Sequence, residues 1–139
     1  MLMRFRRALQ SKKQRDQAVL DSRHWKNHPR LKICLEALRG SCTLAPMELH
    51  EAAITVVNIA LGENTWASAG QIPPNFLPRE VFVLWNDPLL PVFRAERDTL
   101  TANLAVVTAV ASDTYFVSQT LDRVIHFGDG KIRIYSVSP

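Results

Sequence analysis

The stretch RVIHFGDGKIRIYSV, residues 123–137, predicts a β-hairpin. Its centre, Gly128–Gly130, has the small and polar residues that tight hairpin turns favour, and apolar residues flank it on both sides. In the second arm Ile132 and Ile134 alternate with more polar residues, so we expect one face of that strand to be buried and the other to be wet.

Upstream of the hairpin the sequence predicts three more strands and a short helix. The apolar run Val81–Trp85 lies between proline-containing segments, which is typical of a central strand buried on both faces. Ala105–Ala111 is rich in Val and Ala and is predicted to be a strand, as is Tyr115–Ser118. Glu96–Asn103 is predicted to be a short helix.

The first half of the chain predicts helices. Arg4–Leu20 contains strong helix formers without Gly or Pro. Pro29 is placed to open a second helix that ends at Gly40, and Pro46 is placed to open a third that ends at Gly62. The third helix has the broadest apolar stripe, so it is predicted to be the most buried.

Helices followed by strands predict an α+β fold, in which N-terminal helices pack on one face of a C-terminal, mainly antiparallel β-sheet. The chain has 139 residues, of which 47% are hydrophobic, enough to bury one continuous core. We therefore predict a single domain, 1–139, with a helical part at 1–62, a loop at 63–79 and a mainly β part at 80–139.

Charge is distributed unevenly along the chain. Residues 1–39 carry eleven Lys and Arg against three Asp and Glu, a net charge of +8. Residues 40–139 have a net charge of −4, and within them residues 40–122 reach −6. The sequence thus predicts an acidic body with a basic helical segment attached to it, and a negative surface attracts basic partners.

Acidic residues in loops or near the ends of elements are the first candidates for a partner-binding surface, because loops often carry such surfaces. A tryptophan in the predicted loop at 63–79 either closes the edge of the core or contacts a partner. The candidate partner-binding residues are Glu63, Trp66, Asp87, Glu96, Asp98, Asp113 and Asp122.

The sequence has no pattern that favours catalysis, so we predict that the chain is not an enzyme and needs no cofactor or metal. It lacks a Gly-rich phosphate loop and the His-Glu-x-x-His, Cys-x-x-Cys and Gly-x-Ser-x-Gly motifs. His24 and His28 have helical spacing, but Pro29 disfavours a helix at His28 and no third ligand is evident. His126 is either a general base or a partly buried strand residue, and the second interpretation is preferred.

The remaining titratable groups favour structural roles in a cytoplasmic protein. Cys34 lies at an apolar helical position, and both it and Cys42 are expected to be reduced thiols, because no export signal is evident. His50 is placed on the polar side of the third helix. No apolar stretch approaches the length that a membrane span needs.

Three stretches together resemble small bacterial immunity proteins. They are VFVLWNDP at 81–88, DTYFVS at 113–118 and RVIHFGDGKIRI at 123–134. In particular they resemble the immunity proteins of contact-dependent growth inhibition (CDI) systems. The resemblance implies a cytoplasmic, non-enzymatic protein that binds the C-terminal toxin domain of a large exported protein, a domain that is commonly a nuclease.

The two halves of the charge distribution favour different functions. The acidic body fits an immunity protein that covers the basic substrate surface of a nuclease toxin. The basic segment does not fit that role, and it supports an alternative, a nucleic-acid-binding module that uses residues 4–39. Aromatic residues that could stack on bases are few in this segment.

Overall fold

The computed structural model describes residues 25–63 and 66–137. The predicted helix Arg4–Leu20, most of the basic segment and His24 lie outside the described residues. Within them the elements are α1 (Pro29–Leu38), β1 (Cys42–Leu44), α2 (Met47–Glu63), β2 (Trp66–Ala69), β3 (Glu80–Trp85), β4 (Phe93–Glu96), α3 (Arg97–Ala102), α4 (Leu104–Thr108), β5 (Thr114–Ser118), β6 (Arg123–Gly128) and β7 (Lys131–Ser136).

The strands form one seven-stranded sheet in the order β1-β4-β3-β5-β6-β7-β2, and every neighbouring pair is antiparallel. An α+β fold with a mainly antiparallel sheet, as predicted, is confirmed. The run Val81–Trp85 is confirmed as a strand with a strand on either side, and all five of its residues are buried.

Helices cover both faces of this sheet, so the predicted one-sided arrangement is wrong. Side chains alternate along β3: Phe82 and Leu84 join the core under α2, whereas Val83 and Trp85 join the core under α1, α3 and α4. We call these the α2 face and the α1 face. A strand such as β3, apolar at every position from Val81 to Trp85, requires a cover on each side because both sets of side chains must leave water.

The hairpin of β6 and β7 is confirmed. Asp129 and Gly130 adopt φ values of 53° and 71°, as a two-residue turn of this kind requires, and Gly128 pairs with Lys131 across it. The expected wet face of β7 is wrong, however. Tyr135 points to the α2 face and is buried there, because the helix covers that side as well.

The stretch 63–79, predicted to be a loop, contains strand β2. This strand pairs with β7 and puts Trp66 opposite Tyr135, so Trp66 belongs to the sheet. Four residues with two alanines carry too weak a local signal, and the strand forms because β7 offers it backbone partners. Likewise β1, within the predicted helical part, owes its place to pairing with β4.

The predicted strand Ala105–Ala111 is also wrong, because α4 occupies Leu104–Thr108. Packing decides this segment against the β preference of its valines: Val107 is buried on the α1 face, where its carbonyl accepts a 2.9 Å hydrogen bond from Trp85 Nε1. Thr108 reinforces the turn by donating from its hydroxyl to the carbonyl of Leu104, at 2.7 Å.

The first described helix begins and ends as predicted. His28 stays extended before Pro29, and its Nδ1 accepts a 3.1 Å hydrogen bond from the backbone N–H of Leu31. Arg39 and Gly40 then adopt left-handed φ values of 50° and 82°, which end the helix.

Candidate functional site

The candidate acidic residues do not form one cluster, because the antiparallel register separates them. Trp85 pairs with Thr114 at one end of the sheet, so Asp87 and Asp113, which adjoin these residues, lie at that end. Glu80 pairs with Glu96 at the opposite end. Asp98 and Asp122 lie at that end as well.

Asp113 lies inside the protein, with 2% of its surface exposed, so it is not available to a partner. Its Oδ1 accepts a 2.8 Å hydrogen bond from His126 Nε2, and its Oδ2 accepts a 2.9 Å bond from Asn86 Nδ2. The expectation of an exposed carboxylate is wrong because the side chain turns inward at the start of β5, where these donors satisfy it.

The Asp113–His126 pair needs a glycine at position 128. A Cβ atom on Gly128 would lie 2.3 Å from Asp113 Oδ1 and 2.8 Å from His126 Nε2, closer than real contacts allow. His126 also stacks on Tyr115, with ring centroids 4.7 Å apart. The pair thus joins the start of β5 to the end of β6 inside the fold.

Two exposed candidates are already paired with arginines. Glu96 Oε1 lies 3.7 Å from Arg79 Nη2, and Asp98 Oδ1 accepts a 3.0 Å bond from Arg97 Nε. Such exposed pairs contribute little to stability, but the neighbouring positive charge reduces the attraction that either carboxylate offers a basic partner. Asp87 is half-buried, and its Oδ1 accepts a 2.9 Å bond from the backbone N–H of Leu89.

Asp122 lies in the turn between β5 and β6. Its Oδ1 accepts hydrogen bonds from the hydroxyls of Thr120 and, at 3.0 Å, Ser118. Above all the bond from Thr120 lowers the pKa of Asp122 below its usual value, because donated hydrogen bonds stabilise the ionised carboxylate. Asp122 is therefore a fixed negative charge at this turn.

Beside this turn α2 borders a groove of about 420 Å³, which we call the acidic groove. It is lined by Glu48, Glu51, Ala52, Thr55, Val56 and Leu121. No Lys or Arg lines it, and α2 itself contains none along Met47–Glu63. Two carboxylates lie here without a basic neighbour in the lining, which sets this surface apart from the paired Glu96 and Asp98.

The sequence prediction missed Glu48 and Glu51, because it treated α2 only as the most buried helix. A signal for them exists: Glu48, Glu51 and Thr55 follow helical spacing on one face, and no Lys or Arg lies between them. On the outer side of α2, Ile59 is 41% exposed and Met47 is 39% exposed, and both add apolar surface near the carboxylates.

Trp66 lies on the edge strand β2 and is 41% exposed. The guanidinium of Arg133 lies 5.0 Å from the centroid of its ring, a cation–π contact that holds the indole in place. The other candidate near this strand, Glu63, ends α2, and its side chain is outside the described residues.

The described histidines and cysteines make contacts within the fold. His28 caps α1, His126 donates to Asp113, and His50 is buried rather than on a polar side, where its Nε2 donates to the carbonyl of Ala45 at 2.8 Å. Burial raises the pKa of Cys34 to about 11 and that of Cys42 to about 12, so both are thiols at neutral pH.

Comparison with known proteins leaves the family open. A scan against protein-family models gives no match, and a search of curated proteins finds no significant similarity. The resemblance to immunity proteins therefore stays a prediction. Within residues 25–63 and 66–137, no helix has the length and apolarity to cross a membrane, and no cluster of three or more His, Cys, Asp or Glu could hold a metal ion.

Proposed function

We propose that this chain is a cytoplasmic immunity protein that binds the cognate toxin domain of a CDI system, a nuclease, and neutralises it by protein–protein contact. The acidic groove carries the proposal, because it is an exposed surface with two carboxylates and no basic residue in its lining. A nuclease must attract a phosphate backbone, so its substrate surface is basic and complements such a groove.

The surroundings of the groove suit a protein partner. Asp122 adds a fixed negative charge next to Leu121, at one border of the groove. Ile59 and Met47 expose apolar surface on the same helix, and interfaces combine an apolar centre with a polar rim. Charge would speed the encounter of the two proteins, and apolar contacts would slow their separation.

The proposal predicts that the gene directly upstream of the gene for this chain encodes a large exported protein, and the test uses the C-terminal domain of that protein. Production of that domain alone should arrest bacterial growth, and co-production of this chain should restore it. The purified pair should elute as one complex from a size-exclusion column. A chain from an unrelated immunity system serves as the control and should not restore growth. Arrest that persists while the folded chain is present would contradict the proposal.

One observation supports a second candidate function, nucleic-acid binding. Around α1 the described part of the basic segment exposes Lys26, Arg30, Lys32 and Arg39. A gel-shift assay with generic RNA and DNA at low salt tests this function, because phosphate contacts weaken steeply as salt rises. Binding that disappears when residues 1–16 are deleted would support it, and no shift at low salt would rule it out.

A further inference from the structure

We propose that residues 1–24 of this chain, which we call the leading segment, bind the acidic groove of the same molecule and must leave it before a basic partner can bind there. The leading segment lies outside the described residues, and its sequence carries seven Lys and Arg against two Asp, a net charge of +5. The proposed function gives this positive charge no role. That the displacing partner is the toxin rests on the proposed function, whereas the contact between segment and groove does not.

The described chain begins beside the sheet edge from which α2 leaves. Trp25 packs on Phe93 of β4, with ring centroids 5.5 Å apart, and Phe93 pairs with Leu44 of the edge strand β1. Helix α2 starts three residues after β1 ends, and Glu48 and Glu51 lie in its first two turns. The leading segment therefore joins the described chain one strand away from the end of α2 that borders the groove.

The leading segment is long enough to reach the groove. Lys12, Lys13 and Arg15 precede Trp25 by ten to thirteen residues. A stretch of that length spans about 15–20 Å as a helix and up to about 45 Å as an extended chain. The path around β1 from the α1 face to α2 crosses two layers of about 10 Å each, so it lies within this range.

The charges of the described surface direct the segment to α2 rather than to α1. Around α1 the four exposed Lys and Arg residues named above repel a basic segment, and they surround Glu36, the acidic residue of that helix. At the other end of the sheet, the carboxylates of Glu96 and Asp98 are paired with arginines. Glu48 and Glu51 border the groove with no Lys or Arg in its lining, so their attraction for the segment is not offset.

The apolar parts of the segment and of the groove match as well. Ala52, Val56 and Leu121 give the groove an apolar lining. In the leading segment, Phe5 and Leu9 flank two arginines. Such a segment can bury apolar side chains in the groove while its cations face the two glutamates. The covalent link also holds the segment at an effective concentration on the order of millimolar, so contacts too weak to join separate molecules are sufficient.

A spin label on the leading segment tests the contact in the full chain. Ser11→Cys provides the attachment site, and Cys34 and Cys42 react slowly with a thiol-directed label because burial raises their pKa values to about 11 and about 12. Nuclear magnetic resonance should show that the label broadens the amide signals of Ala52 and Thr55, which line the groove. The broadening should persist on dilution, because the contact lies within one molecule.

Two pairs of substitutions in the labelled chain separate the effect of charge from mere proximity. Glu48→Gln with Glu51→Gln should abolish most of the broadening on α2, because the attraction is removed without a change of shape. Glu36→Gln with Glu96→Gln removes two exposed carboxylates elsewhere and should leave the broadening unchanged. The proposal is overturned if α2 shows no broadening, or if the broadening survives the first pair. It is also overturned if a labelled chain broadens the α2 signals of an unlabelled chain mixed with it, because a second copy would then occupy the groove.

A decalysine peptide serves as the basic partner that displaces the segment. Two variant chains each lose three positive charges: Lys12→Gln, Lys13→Gln and Arg15→Gln in the leading segment, or Lys26→Gln, Lys32→Gln and Arg39→Gln around α1. At low salt the first chain should bind the peptide at least about threefold more tightly than the unchanged chain, because its groove is vacant more often. The second should stay within about twofold of the unchanged chain.

Equal gains in the two variant chains would overturn the displacement, since net charge alone would then explain them. The same comparison with the proposed toxin domain separates this inference from the proposed function. Tighter binding of that domain by the first chain alone supports both. A toxin domain that binds none of the three chains contradicts the proposed function only, because the spin label and the decalysine peptide test the groove contact without it.

Discussion

The two faces of the sheet carry helices of opposite charge. Around α1 the exposed charged residues are mostly Lys and Arg, with Glu36 the one acidic residue of that helix, whereas α2 contains Glu48, Glu51 and Glu63 and neither Lys nor Arg. A charge division that runs along the sequence therefore becomes a division across the sheet, because consecutive helices cover opposite faces. The two sides of one sheet can thus present an acidic surface and a basic surface that face away from each other.

The two cores differ as well. The α1-face core contains large aromatic and aliphatic side chains and both thiols, whereas the α2-face core includes two tyrosines and lies against two buried histidines. Stability on the α1 face should therefore depend mainly on packing. On the α2 face it should depend in addition on satisfied hydrogen bonds.

The largest loss of stability is expected when a tryptophan is removed from the α1-face core. Trp85→Ala removes a fully buried indole and its hydrogen bond to Val107, which should cost about 3–5 kcal/mol of the free energy of unfolding. Trp66→Ala changes the same residue type at a partly exposed edge and should cost less, about 1–2 kcal/mol. Chemical denaturation measures both, and equal losses would contradict the assignment of Trp85 to the core.

The next largest loss of stability is expected when the hydrogen bond between Asp113 and His126 is disturbed. Gly128→Ala places a methyl group against Asp113 and His126 and should cost about 2–4 kcal/mol, since it separates them or strands a buried polar group. Gly70→Ala is the matched control, because a Cβ atom there has open space. Thermal or chemical denaturation measures the stability of both variants. If Gly128→Ala were as stable as Gly70→Ala, the buried pair would not need a glycine at position 128.

A smaller loss of stability is expected at alkaline pH, where the thiols of Cys34 and Cys42 in the α1-face core begin to ionise. Their folded-state pKa values, about 11 and about 12, exceed the unfolded value of 9.0, so the unfolded chain loses these protons first. Stability should be complete below pH 9 and fall above it, by on the order of 1 kcal/mol per thiol by about pH 10. A Cys34→Ala, Cys42→Ala chain should have a flatter slope between about pH 8.5 and 10. If the stability of both chains fell equally with pH over this range, the thiols would not be the cause of the loss.

The smallest change in stability is expected at acidic pH and comes from Asp122, beside the acidic groove. The folded-state pKa of Asp122 lies below its unfolded value, so its contribution is present above the unfolded pKa and is lost as pH falls through the folded pKa. Because the side chain is only partly buried, Asp122→Asn should cost less than about 1 kcal/mol near about pH 6, and this cost should shrink as the pH falls through the folded pKa. A pH-independent difference between the two chains would show that the charge is not responsible.

Local chemistry made part of the fold predictable. The hairpin at 123–137 follows from turn residues that act within a few positions, and the strand at Val81–Trp85 follows from an apolar run bounded by breakers. Periodicity shows that a helix buries one side but not which face of a sheet it covers. Strand β2 and helix α4 depend on distant partners, so no local pattern identified them.

The candidate surface was harder to predict than the fold. A carboxylate near the end of an element can point outward, as Asp98 does, or inward, as Asp113 does, and sequence position does not distinguish them. The charge count did locate the acidic half of the chain. The spacing of Glu48 and Glu51 would have placed two of its carboxylates on one exposed helical face, had the pattern been considered together with the absence of Lys and Arg.

The most direct test of the central claim compares one charge reversal on each face. Glu51→Lys lies in the acidic groove, whereas Glu36→Lys makes the same change on the exposed side of α1. Calorimetry with the purified domain of the proposed cognate toxin should show affinity reduced at least about tenfold by Glu51→Lys and within about twofold of the unchanged chain for Glu36→Lys. Equal losses, or a larger loss for Glu36→Lys, would contradict binding through the α2 face.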